Sequence, residues 1–166
     1  MYKWTSEHIT FHRDLLKRSR SMSWRDLLLE CLPGCQLEDP LTPEEIRAAE
    51  KKLGMLLPEE LSSFYLASGA LNSEAHSLIV SPLPSVVEEN LDLWGGRLNN
   101  RCMPFHGVFV FGTPGNGDKY FYPRLGNGKF GESIFLWAPE TDSRTWQAES
   151  LKSILIHTRT DMLVVP

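Results

Sequence analysis

Apolar residues recur at helical spacing through the first half of the chain, then fall into short continuous runs separated by turn residues in the second half. Residues 6–20 set Ile9, Phe11, Leu15 and Leu16 among charges, which predicts an amphipathic helix. Trp24, Leu27, Leu28 and Cys31 share one face of a second helix over 24–32, with Ser23 as N-cap and Pro33-Gly34 as the stop. Thr42-Pro43-Glu44-Glu45 is the clearest start signal. The hydroxyl of Thr42 can accept an orphan amide, Pro43 has no amide to leave unpaired, and Glu45 can reach back. Ile46, Ala49 and Leu53 form the stripe of that helix and Gly54 ends it. Pro58-Glu59-Glu60 opens a helix with Leu61, Phe64 and Tyr65 inward, and Ser85 with Glu88 reads as a capping box for a helix at about 85–94.

The period then changes. Residues 77–81, 107–111, 119–122 and 133–138 are β-branched or aromatic runs of strand length. Gly112 to Gly117 is dense turn chemistry, and Asn127-Gly128 supplies the positive φ angles of a tight hairpin. A last helix over about 148–157 presents Leu151, Ile154 and Leu155. Helices followed by hairpins predict an α+β fold, an antiparallel or mixed sheet of about four to six strands packed on helices. One sheet face is free to meet water or a partner. The organisation expected is an N-terminal helical extension, residues 1–22, ahead of one domain, residues 23–166.

Charge changes the picture more than composition does. Residues 38–96 carry three Lys/Arg against eleven Asp/Glu, while the flanking segments are each net positive, and no Lys or Arg lies between Leu53 and Gly96. Such a field repels nucleic acid and attracts basic partners. The acids Glu59, Glu60, Glu74, Glu88, Glu89 and Asp92 are candidate partner contacts, with Trp94 as a candidate aromatic anchor. Two readings stand for each: Glu59 and Glu60 also suit the first turn of a helix, Glu88 a cap, and Trp94 the core. The helices at 43–53 and 58–67 are joined like a helix-turn-helix, but the second has no Lys or Arg to reach phosphate.

Catalytic and metal signatures are missing. Cys31 and Cys35 lack a second Cys/His pair, and His8 and His12 lack the glutamate that a zincin helix places after its first histidine, Ile9 standing there. Gly115-Asn116-Gly117 is not followed by Lys-Ser/Thr and a helix, so it is no phosphate loop. Asp118 reads as a turn residue whose carboxylate satisfies loop amides. No cofactor, metal or catalytic residue is expected, no run approaches the ~20 apolar residues of a membrane span, and the N-terminus lacks a signal-peptide core, which places the protein in the cytoplasm.

Taken in order, these pieces resemble the SUKH superfamily of fungal cell-wall synthesis regulators and bacterial immunity proteins. The residues that carry the likeness are Leu41-Thr42-Pro43-Glu44-Glu45-Ile46, then Leu53-Gly54, Leu57-Pro58-Glu59-Glu60-Leu61 with Phe64 and Tyr65, and Gly117-Asp118 before Tyr120. Ile134–Trp137 and Ala148–Leu151 continue it. The chain departs at Ala70-Leu71, where the family often has a second glycine, and residues 1–20 have no counterpart. The resemblance implies a non-enzymatic binding protein: an immunity protein that neutralises a cognate toxin domain with a basic surface, such as a nuclease. A regulatory scaffold is the alternative. A small hydrolase or ligand binder using Asp118 and His106 on an open sheet face is the third reading.

Overall fold

The computed structural model describes residues 6–73, 78–98 and 100–162. Its helices are α1 (Ser6–Ser19), α2 (Trp24–Cys31), α3 (Pro43–Leu53), α4 (Glu59–Tyr65), α5 (Leu83–Trp94) and α6 (Leu151–Met162). Its strands are β1 (Gln36–Leu37), β2 (Leu71–Ser73), β3 (Leu78–Val80), β4 (Val108–Thr113), β5 (Lys119–Pro123), β6 (Ile134–Ala138) and β7 (Ser143–Ala148). The fold is α+β. Its strands form one antiparallel sheet in chain order, β1 to β7, slightly larger than the four to six expected.

The strands that the apolar pattern missed are the ones that bury little. β1 has two residues, β2 reads Leu-Asn-Ser, and β7 is an edge strand whose Ser143, Thr145 and Trp146 stay exposed. Partners define such strands rather than their own composition. β4 runs on to Gly112 and Thr113, which the sequence assigns to a turn. Gly112 is needed there for contact: a Cβ at this position would lie 2.2 Å from the Ile79 carbonyl oxygen on β3.

Helix starts follow local chemistry in α2 and α3. Ser23 accepts the Asp26 amide at 3.1 Å. In α3 the Glu45 amide donates to the Thr42 hydroxyl at 3.3 Å, and the Thr42 amide donates to the Glu45 carboxylate at 2.8 Å. The Thr42 amide and then its hydroxyl hold the Glu45 carboxyl below its ordinary pKa. Gly54 closes α3 in the left-handed conformation, φ 73°. Two expected starts are corrected. α5 begins at Leu83, so Ser85 and Glu88 lie inside it and form no cap; Pro82 precedes the helix and Pro84 sits in its first turn, where a missing amide costs nothing. α6 begins at Leu151, because Ala148 is still paired in β7.

Both faces of the sheet centre are covered, against the expectation of one open face. Phe109, Phe111, Tyr120, Tyr122 and Ile134 join the main core with side chains of all six helices, α5 through Leu83, Val86 and Val87. Val108, Val110, Phe121 and Trp137 face a second cluster with Leu93 and Phe105. This double burial explains why residues 107–111 read as an unbroken apolar run. Leu15 of α1 is buried in the main core beside the α2 and α6 side chains.

Helix α5 also repairs an edge. β3 pairs only with Gly112 and Thr113, so the earlier part of β4 has no strand on that side. Asn90, fully buried, fills the gap: its side-chain oxygen accepts the Val110 amide at 2.8 Å and its amide donates to the Val110 carbonyl at 2.7 Å. One turn on, the Trp94 indole donates to the Val108 carbonyl at 3.0 Å. Asn90→Ala leaves two buried main-chain groups unpaired and should destabilise the fold by about 3 kcal/mol. Urea unfolding measures this, and a loss below about 1 kcal/mol would mean that the edge finds other partners.

Candidate functional site

The acids of the middle third do not lie together as a set of free carboxylates. Glu60 turns inward and caps α6, accepting the Leu151 amide at 2.6 Å and the Lys152 amide at 3.1 Å. A carboxylate at a helix N-terminus meets orphan amides and the positive end of the dipole. Burial pushes the Glu60 carboxyl above its ordinary pKa, more than those two amides and the Lys152 ammonium pull it down, and Glu132 adds to the rise. Glu89 pairs with Lys119 at 2.8 Å and Asp92 with Arg97 at 2.6 Å. The half-buried Trp94 is fixed by its bond to Val108 and lies 6.2 Å from the Phe109 ring. Glu74 falls outside the described residues. Glu59 and Glu88 remain exposed, with no ion pair among the described residues.

The remaining motif residues stand in turns. Pro58 precedes α4 without a side-chain cap, and the loop before it is held by the Leu57 amide, which donates to Glu50 at 3.0 Å. Gly117 has φ 98°. The Asp118 amide donates to the Asn116 side-chain oxygen at 3.0 Å, and the Asn116 amide donates to the Asp118 carboxylate at 3.1 Å. His106 is exposed on the loop before β4.

A site that the sequence did not single out surrounds Glu60. A groove of about 1630 Å³ is lined by α1, the loop before α4, the β5–β6 turn and the start of α6. Lys152 closes one end: its ammonium donates to the Ser19 and Met22 carbonyls at 2.9 and 3.1 Å and stands 5.2 Å from the Trp24 ring. A cation at those carbonyls complements the C-terminal end of α1. Arg13, Lys17 and Arg20 line the groove from α1 and the residue after it, while Glu59, Lys129, Glu132 and Glu149 line it from the other elements. Tyr122 lies at its floor, and its buried hydroxyl finds no hydrogen-bond partner among the described residues. Burial, then the neighbouring Glu60 and Tyr65, raise the Tyr122 pKa. The one sequence signal for this groove was the spacing of Arg13, Lys17 and Arg20, which shares a helical face.

Glu60→Ala removes the acceptor for two α6 amides and should destabilise the protein by about 2–3 kcal/mol at neutral pH, as read by urea unfolding. The raised pKa sets the sign of the pH dependence. The folded carboxyl holds its proton more tightly than the unfolded one. Its contribution is fullest below the ordinary value of 4.5 and is lost as pH rises through the raised value. The stability of wild type relative to Glu60→Gln should therefore fall as pH rises above the ordinary value of 4.5; a rise would reverse the assignment.

Among the described residues, no helix is long and apolar enough to cross a membrane. A search of curated proteins finds no match. A family model does match: the one described as SUKH_6, SMI1-KNR4 cell-wall, aligns with residues 43–155. That range runs from the first residue of α3 into α6 and takes in the capped helix, the Leu-Pro start of α4 and β2 to β7. The chain belongs to the SUKH superfamily, in its SMI1-KNR4 branch.

Proposed function

We propose that this chain is a non-enzymatic immunity protein that binds and neutralises a cognate toxin domain in the cytoplasm. The observation that carries the reading is the family match over residues 43–155, together with the binding role that the family resemblance implies. A basic toxin surface, such as a nuclease phosphate site, would be drawn to the middle third, where acids outnumber bases eleven to three. Among the candidate contacts, Glu59 and Glu88 are the exposed carboxylates with no internal ion pair among the described residues, so steering falls first to them, with Glu74 as a further candidate. Glu60, Glu89 and Asp92 would contribute field rather than direct contact, and Trp94 would support the interface from behind. The association of the family with the cell wall favours a second reading, a regulatory scaffold with several partners and no toxin.

Co-expression with the toxin-like product of a neighbouring gene tests the first reading. The chain should restore growth and co-purify with that product; absence of both outcomes overturns it. Glu59→Lys with Glu88→Lys should slow association by about ten-fold at low salt and leave dissociation nearly unchanged. An unchanged on-rate would remove these carboxylates from the encounter.

A further inference from the structure

We infer that the groove beside Glu60 receives an extended segment of the partner polypeptide bearing both acidic and basic side chains. This rests on the binding reading above and names the surface that performs it. The groove, about 1630 Å³, exceeds the roughly 300–1,000 Å³ of common small-molecule pockets, so its size suits a stretch of chain. Seven exposed charges surround it: Arg13, Lys17 and Arg20 from the α1 side, Lys129 from the β5–β6 turn, and Glu59, Glu132 and Glu149 from the loops and helix starts. None of the seven makes an ion pair among the described residues.

A purely acidic ligand would meet three exposed carboxylates, and a purely basic one would meet four exposed cations. Each charge therefore works against the wrong partner as well as for the right one. Between them lies apolar surface. Leu56 is 74 % exposed at the groove, and half-buried Phe130 lines it as well. An apolar side chain of the segment covers this surface while flanking charges reach either set. The Tyr122 hydroxyl at the floor marks a hydrogen-bonding group that no described residue satisfies.

A displayed library of random peptides about twelve residues long, selected on the full chain at about 50 mM salt, supplies the probe. Recovered peptides should carry Asp or Glu together with Lys or Arg. Their affinity should fall at least about ten-fold for Arg13→Glu/Lys17→Glu/Arg20→Glu, and by a similar factor for Glu59→Lys/Glu132→Lys/Glu149→Lys. Glu140→Lys, an exposed carboxylate outside the groove, should bind as wild type does. All six side chains replaced in the groove are exposed, and matching thermal melts confirm that the variants fold. Recovery of no peptide, of peptides with one sign of charge, or of peptides indifferent to both triple variants overturns the proposal. The assay contains no toxin, so its failure is distinct from failure to neutralise one.

Discussion

A short polar chain through Glu60 and Lys152 ties together helices far apart in sequence. Glu60 begins in α4 and ends on the first amides of α6. Lys152, in that same turn of α6, reaches the last carbonyls around the end of α1. The two contacts complement opposite ends of two helix dipoles. They also set the spacing between α1, α4 and α6, and thus the shape of the groove that those elements line. Trp24 supports the arrangement from the apolar side. Its indole donates to Ser63 at 2.9 Å, its ring meets Phe64 edge-on at 5.5 Å, and the Lys152 ammonium lies over it.

Helix α5 solves a separate problem with consequences for binding. A sheet whose third strand is short exposes backbone on its neighbour, and an open edge invites unwanted pairing. Asn90 and Trp94, one turn apart, occupy that edge. Once α5 is held there, Glu89 comes within reach of Lys119 and Asp92 of Arg97. Much of the acidic charge that looks available in the linear sequence is thus engaged within the fold. Exposed pairs of this kind contribute little stability. Their effect is to redistribute where a partner meets unbalanced charge, away from Glu89 and Asp92 and toward Glu59, Glu88 and the groove.

Legibility followed the range of the interactions. The start of α3 was readable because Thr42, Pro43 and Glu45 are local and each satisfies a backbone need by itself. The inward faces of α2 and α4 followed from their spacing, and the buried centre of the sheet from the run at 107–111. The start of α6 was not readable, since its cap, Glu60, lies far back in the chain. The same holds for Gly112, which looks like a turn residue until β3 passes within contact of it. β7 escaped notice because an exposed edge strand needs no apolar pattern. The groove was hidden for a similar reason: its seven exposed charges come from four separate segments, and only Arg13, Lys17 and Arg20 share a helical face.

The family match places the chain in the SUKH superfamily, its helices frame a mixed-charge groove, and the integrity of that groove rests on the Glu60 cap. Native-state amide hydrogen exchange at Leu151 and Lys152 reads that cap directly. Loss of the carboxylate in Glu60→Ala should lower protection at both amides by about a hundred-fold, equivalent to about 2.7 kcal/mol, while amides in the β4–β5 pair keep most of theirs. Equal protection at Leu151 and Lys152 in the two proteins would contradict the account, because the α6 terminus would then be held by something other than Glu60.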